Sequence, residues 1–500
     1  MRSLKYLSFN NFTLYSFWSV IGFGISQASS LIVFIILARL LSKEDVASYA
    51  LMQSIIAAGM TCCGLWIGTG VTRFIALNSK SDKLAAGRYA FLGIISSFFL
   101  SILAALLLYN FSDFFSLSLF GSKNLSPYLK IISFIIILHS IDSIQMQTLQ
   151  SLVAFKEISK NNLIKAVLLI PIMGIGAYKF DVLGAFYGLL LMSLIFLVIN
   201  YYSVRKYFSI NNIQYVFKLK RIDFYLFYKY ATPLFFGALL GTPVILIANS
   251  ILSQGALGIE QVAYFAIASQ WRSLIQHIPK RMTDVALPML STSHGNDNNG
   301  DFYETFIQTN TFSLLFGYIL VTILMFNIPI IISLYGESFE GANITIGLML
   351  LAGGISCHGS GIAPLIYSKG YTVFGLYTNL IWSSIFILTS LYFIDILGAA
   401  ALALGMCIGY VLTLSITIIY LSYKKEVSII LFYKSLFGIS LMILIFGFSI
   451  FINQLFSIIY VLFFSIIFTV IVSFVLINYI IDDNIKSKLV ILYKTSFNKR

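Results

Sequence analysis

EDVASYA at residues 44–50 returns as EQVAYFA at residues 260–266, with Glu, Val and two Ala in register and an aromatic at the sixth place. LFGS at 119–122 returns as LYGE at 334–337, and DVLGA at 181–185 returns as DILGA at 395–399. The offsets are 216, 215 and 214 residues, and the order is kept. One such match is chance; three in order at a nearly constant spacing indicate an internal duplication of about 215 residues.

What is duplicated follows from composition. Of the 500 residues, 59% are hydrophobic and 10% charged, and the mean hydropathy is +0.92. Soluble domains are about 45–50% apolar and about 25% charged, so this chain is dissolved in a bilayer. Runs such as ASSLIVFIILARLL (28–41), LGIISSFFLSILAALLLY (92–109), LLLMSLIFLVINYY (189–202) and IIYVLFFSIIFTVIVSFVLINYI (458–480) fill or centre the roughly 20 residues that cross about 30 Å of hydrocarbon. Hydropathy predicts helices at 13–38, 46–76, 88–112, 129–154, 163–180 and 184–203. A second six follow at 230–253, 260–290, 306–333, 344–367, 372–393 and 398–422, and a last pair at 432–453 and 457–481. The expected fold is an all-α polytopic membrane protein with fourteen transmembrane helices. No small-residue cleavage site follows Arg2 and Lys5, so the first span is expected to be retained rather than removed as a signal peptide. Cys62, Cys63, Cys357 and Cys407 fall inside spans without CxxC or His-rich spacing and read as packing residues. No motif asks for a cofactor or a resident metal.

Lys and Arg set the orientation. With a cytoplasmic N-terminus, 26 of the 32 cations fall in inside segments and five outside, with Arg272 left within a span. This places both ends in the cytoplasm. It also absorbs the net charge of +13, leaving no case for nucleic acid as a partner.

Each copy holds six spans, an even number, so both enter from one face and are expected to be parallel repeats about an axis along the membrane normal. The expected domains are a six-helix lobe over 1–203, a basic cytoplasmic linker over 204–229, a second six-helix lobe over 230–423, two added helices over 432–481 and a basic cytoplasmic tail over 482–500. Two like lobes with a seam between them suit transport by rocking. A glycosyltransferase or ligase would need a sizeable extracytoplasmic loop, and the longest here is roughly 113–128. GxxxxGK[ST], the phosphate loop of an ATP-driven pump, is absent.

QASSLIVFIILARLLSKEDVASYALMQS (27–54) followed by GLWIGTGVTRFIAL (64–77) resembles the opening of bacterial polysaccharide flippases in the multidrug/oligosaccharidyl-lipid/polysaccharide (MOP) superfamily. YATPLFFGALL (230–240), VALPMLS (285–291), SLYGESFEGA (333–342) and DILGAAALALGMCIGYVL (395–412) are similar to the family pattern in the same order. Each motif is loose, and order and spacing give the resemblance its weight. It implies a flippase moving an undecaprenyl-pyrophosphate-linked oligosaccharide, an O-antigen repeat unit, across the bacterial inner membrane by alternating access. Coupling to a proton or sodium gradient, and an O-antigen polymerase and chain-length regulator as partners, follow from the same resemblance. The alternatives are a drug or cation exporter of the same fold and a membrane-embedded sugar ligase or polymerase. Fourteen spans favour the lipid-linked cargo, because the family's drug exporters usually stop at twelve.

A pyrophosphate in hydrocarbon needs a wetted, cationic path, since a charge at the bilayer centre costs from about 2.5 to over 10 kcal/mol. Arg272 lies twelve residues into the eighth span, about 18 Å deep. Gln276 and Lys280 follow on the same face, with Arg281 beside Lys280 at the cytoplasmic mouth. One reading has Arg272 forking onto phosphate oxygens while Lys280 or Arg281 draws the head group in. The other makes Lys280 and Arg281 positive-inside anchors, with Asp284 neutralising one of them, and pairs Arg272 with a carboxylate. His139 and Asp142 in the fourth span, and His358 in the tenth, are intramembrane ionisable groups and candidates for ion coupling or for a gate, including an Asp142 to Arg272 bridge. The first and seventh spans are expected to be interrupted, by Gly22, Gly24 and neighbouring serines in one and by Pro233, Gly237, Gly241 and Pro243 in the other. Such breaks mark a binding seam or close packing, with Gln27 the sugar contact in the first case. Arg73 reads as a cytoplasmic anchor, Ser293–Asp301 as a flexible polar loop, and the last two spans as lipid-facing.

Overall fold

The computed structural model describes residues 9–295, 299–369, 371–455 and 458–479, and among them every regular element is helical. The basic tail over 482–500 lies outside the described residues, as does the side chain of Asp284. The chain divides into two compact units, Met1–Ala266 and Ile267–Arg500.

The first unit holds α1 (Phe9–Leu40), α2 (Lys43–Met60), a π-helical turn (Thr61–Leu65), α3 (Trp66–Asn78), α4 (Lys83–Asn110), the short α5 (Ser112–Phe120), a 3-10 turn (Lys123–Leu125), α6 (Ser126–Ser151), α7 (Phe155–Asn211), α8 (Arg221–Leu239), α9 (Thr242–Gln254) and the start of α10 (Glu260–Gly295). Both copies of the first echo are helix starts. Ser42 caps α2 by accepting the Asp45 N–H at 3.2 Å, an arrangement that satisfies a donor the helix itself cannot. Val46, Ala47 and Ala50 are buried behind it, as are Val262 and Ala263 in α10.

Between helices in lipid, packing and hydrogen bonds replace the hydrophobic drive, and small residues let backbones approach. Gly59, Gly64 and Gly68 do this on one face of α2 and α3. A Cβ on them would stand 2.9, 2.9 and 2.7 Å from Ile136, Ser143 and Gln147 of α6. α7 folds back on itself where Phe180 and Asp181 leave helical geometry, Asp181 at φ 51°. Its limbs come so close that a Cβ on Gly176 would stand 2.5 Å from the Gly184 carbonyl oxygen. The fold-back divides α7 where the 163–180 and 184–203 spans were expected to part.

The expected linker is shorter than 204–229. α7 runs on to Asn211, with Lys206 bridging back to Glu157 at 2.8 Å, and α8 begins at Arg221, leaving 212–220 as connection. There Ile213 is buried and Tyr215 packs on Phe208 with ring centroids 4.9 Å apart; burial pushes the Tyr215 phenol pKa up. α8 and α9 pack against α3 and α2, which is why the compact unit extends past the boundary drawn from the repeat. α1 is also continuous, against expectation. Gly22 packs tightly instead of breaking it, since a Cβ there would stand 2.4 Å from Ser159 Oγ, while a Cβ on Gly24 would meet nothing within 4 Å. The seventh span does break, at Leu240 and Gly241, with Pro243 opening α9.

The second unit contains the rest of α10, then α11 (Asn299–Phe326), α12 (Ile328–Tyr335), a 3-10 turn (Glu337–Ala342), α13 (Asn343–Ser368), α14 (Thr372–Leu397), α15 (Ala399–Tyr423), α16 (Ile430–Leu455) and α17 (Ile458–Tyr479). Helix covers 293–295 and 299–301 of the stretch expected as a loop, and 296–298 lie outside the described residues. The second echo again marks one device used twice: α5, a positive-φ glycine (Gly121, φ 70°) and a 3-10 turn match α12, Gly336 (φ 115°) and a 3-10 turn. α16 and α17 pack on α11, Asn327 Nδ2 donating to Ser465 Oγ at 3.2 Å, with Phe326, Phe448 and Phe468 between them. Phe463, Ile466, Val470 and Phe474 of α17 are exposed, an apolar face suited to acyl chains.

Eleven segments among the described residues are long and apolar enough to cross a membrane, and a shorter apolar helix covers Phe463–Val475. The protein is an all-α, multi-pass membrane protein. Fourteen crossings stay an expectation; α7 adds one by doubling back, while α10 falls outside the eleven.

Candidate functional site

In the second unit, α10 is pinned on one side and polar on the other. Trp271 Nε1 donates to Tyr335 Oη of α12 at 3.0 Å, both residues being buried, and Ile275 packs over Gly353 of α13. This fixes the azimuth of the next side chain. Arg272 Nη1 donates to Gln276 Oε1 at 2.9 Å and reaches Tyr410 Oη of α15 at 3.4 Å. Gln276 Nε2 in turn donates to Ser356 Oγ of α13 at 2.6 Å. Gly353 lies against both side chains, since a Cβ there would stand 3.1 Å from Ile275 Cδ1 and 3.4 Å from Arg272 Cγ. Tyr410 stacks on Trp382 of α14 at 5.7 Å and 22°, and Trp382 on Phe386 at 5.3 Å and 9°.

A guanidinium has five N–H donors, and two contacts from Nη1 leave most of them unspent. Nε of Arg272 is buried and finds no hydrogen-bond partner among the described residues, and the same is true of Trp382 Nε1 and His277 Nε2. The arrangement is a half-buried cation with donors in hand and an aromatic wall beside it, suited to a planar or tetrahedral oxyanion. Arg272 and Gln276 are therefore brought together as expected. Lys280 is exposed and Arg281 half-buried further along α10. Tyr410, Trp382 and Ser356 were not singled out from sequence; Tyr410 lies within the DILGAAALALGMCIGYVL stretch, where it is the one polar aromatic.

His358 lies elsewhere in the unit. It is buried between Tyr318 Oη of α11 at 2.6 Å and Ser435 Oγ of α16 at 3.4 Å, so both ring nitrogens face hydroxyls. That geometry braces α16 against α11 and α13.

In the first unit, Asp142 of α6 is half-buried and accepts from Asn200 Nδ2 at 2.6 Å. Asn161 Nδ2 donates to Asn200 Oδ1 at 2.8 Å and to Ser203 Oγ at 2.9 Å. His139 is half-buried one turn before Asp142, and Gln27 is half-buried on α1. Lys165, expected among the cytoplasmic cations, stands ten residues into α7, its Nζ 4.6 Å from the Phe196 ring centroid. The signal was present, a lysine three residues inside the predicted 163–180 span. Arg73, expected as an anchor, lies 4.3 Å over the Tyr230 ring of α8.

The family described as "Polysaccharide biosynthesis protein" matches residues 36–344, more than half of the chain. The chain belongs to this polysaccharide biosynthesis family. The EPS I polysaccharide export inner membrane protein EpsE of Ralstonia nicotianae is 24% identical over 286 residues, 55% of this chain and 63% of that protein. The chain thus spans less than two thirds of that relative's length. Among solved structures, a multidrug resistance MATE family transporter of the MOP superfamily in an inward-facing conformation gives a TM-score of 0.63 at 15% identity, covering 82% of this chain and 99% of that one. The outward-facing conformation of a MATE family transporter gives 0.62 at 16% identity, over 86% and 96%. A MOP superfamily transporter from Pyrococcus furiosus gives 0.60 at 15%, over 83% and 95%. At such identities the likeness is one of fold. This member of the polysaccharide biosynthesis family has the MOP transporter fold, and the resemblance drawn from sequence holds.

Proposed function

We propose that this polysaccharide biosynthesis family member is an inner-membrane flippase that carries a lipid-linked oligosaccharide across the bilayer by alternating access, with Arg272 receiving the pyrophosphate. The observation that carries the reading is the state of Arg272: a half-buried cation whose contacts are neutral side chains, Gln276 and Tyr410, and whose Nε is unspent. A residue kept there only for structure would be expected to spend its donors on a carboxylate. Gln276, held by Ser356, keeps the guanidinium in place, and Tyr410 with Trp382 offers a flat apolar wall against which a sugar face can lie. The family and the export relative point to a polysaccharide cargo; fold likeness to drug exporters carries no cargo with it.

The test is surface polysaccharide and accessible lipid-linked oligosaccharide in cells carrying Arg272→Ala or Arg272→Lys at equal membrane levels of protein. Hydrogen bonds to a charged group contribute about 1.5–3 kcal/mol, so Arg272→Ala is expected to lower flipping about tenfold or more. Arg272→Lys retains the charge without the fork and is expected to fall between. Normal polysaccharide with Arg272→Ala would remove this residue from the mechanism, and a gain of dye sensitivity in the gene deletion with polysaccharide intact would favour a drug exporter.

A further inference from the structure

One charge in the first unit has no place in the transport reading. Lys165 sits on the first limb of α7 with its ammonium over Phe196 of the second limb. One turn along, Asn161 bonds Asn200, and Asn200 bonds Asp142. Residues four apart share a helix face. Asn161 and Lys165 on one limb therefore meet Asn200 and Phe196 on the other as successive rungs, and Asp142 enters at the rung beside the ammonium. The depths agree: Lys165 is ten residues from the start of α7 and Asp142 nine from the end of α6, each about 14–15 Å along its helix. His139 lies three residues before Asp142 on α6, on the same helix face.

Magnitudes decide what the pair is for. An aromatic face offers a desolvated ammonium about 2 kcal/mol, less than a lone charge costs at the bilayer centre, about 2.5 to over 10 kcal/mol, a cost that falls toward the membrane surface. Asp142 has the converse deficit, since a carboxylate offers about four acceptor positions and Asn200 fills one of them. Lys165 and Asp142 stand on adjacent rungs rather than in an ion pair within 4 Å, each with the charge that would offset the other's.

We propose that Lys165 is the tethered counter-cation of Asp142, standing in by charge for the sodium ion that an intramembrane carboxylate could otherwise bind, so that Asp142 takes no metal ion while Lys165 is present. The first unit then carries a self-neutralised pair, and sodium does not enter the transport cycle at this carboxylate.

The test uses purified full-length protein and no substrate, so its outcome is separate from that of the flippase reading. Wild type, Lys165→Met, Asp142→Asn and the double variant are melted in sodium chloride and in choline chloride at equal ionic strength. Wild type and the double variant are expected to melt alike in the two salts. Lys165→Met is expected to melt lower in choline and to gain on the order of 2–4 °C in sodium, as the ion binds the uncovered carboxylate. Should Lys165→Met fail to fold while the double variant folds, the rescue itself supports the pair, because removing one member of a half-buried pair leaves an uncompensated charge. The proposal is overturned if sodium stabilises wild type and Asp142→Asn abolishes that response. It is equally overturned if folded Lys165→Met melts alike in both salts, or if the double variant is no more stable than the single one.

Discussion

Arg88 and Asp223 show what a charge looks like when it is spent on structure. Their side chains are 9% and 7% exposed, Nε and Oδ2 are 2.7 Å apart, and Asp82 adds a second carboxylate to the arginine at 3.7 Å. Asp223 also accepts the Lys220 N–H at the start of α8, so the pair fastens α8 to α4. Arg88→Met alone is expected to cost about 3–5 kcal/mol by stranding the carboxylate, and Arg88→Met with Asp223→Leu to recover most of it; melting temperatures of the three proteins check this. Arg272 differs in kind, since its contacts are neutral. That contrast was only half legible in the sequence. The position of Arg272 at mid-span could be counted from Glu260, and Gln276 followed from helical spacing. Tyr410, Trp382 and Ser356 are more than 80 residues away along the chain, and no local pattern joins side chains that meet only through tertiary packing. Lys165 is helical rather than in a loop, and because a helix boundary read from hydropathy moves by several residues, a lysine near one changes sides with it.

Helices were legible where a single property decides them, and less so where two compete. Long apolar runs gave the spans, and the turn in α7 fell where DVLGA suggested a break. The same motif is solved differently in its second copy. Positive φ falls on Asp181 in the first and on Gly398 (φ 54°) in the second, so the chain reverses three residues later in the motif. α1 was expected to break at its small residues and does not, because glycine lowers helix stability only by about 1 kcal/mol and close packing on α7 offsets that. Tight approach between the limbs of α7 makes a direct prediction. A Cβ on Gly184 would stand 1.9 Å from the Gly176 carbonyl oxygen, so Gly184→Val is expected to cost at least about 1–3 kcal/mol through overpacking. The loss would be read as a lower melting temperature and faster proteolysis in detergent, whereas Gly237→Ala, where a Cβ meets nothing within 4 Å, is expected to be near neutral.

For the molecule as a whole, duplication, bilayer solvent and fold class were all present in three echoes and a composition. The compact units were not, because α8 and α9 open the second copy in sequence yet pack with the helices of the first. Orientation rests on the cations. A fluorescent protein fused after Arg500 is expected to fold and fluoresce in the cytoplasm, and alkaline phosphatase fused near Gly121 to be active on the far side; the reverse pattern would invert the assignment. The two reversals at Asp181 and Gly398 carry a consequence for biogenesis. With no loop between their limbs, each pair of helices has to enter the lipid together as a bent hairpin, since neither limb can wait outside for the other. The same tightness leaves no slack there for an inserted tag, although Tyr178, Phe180 and Ile396 beside the two reversals are exposed.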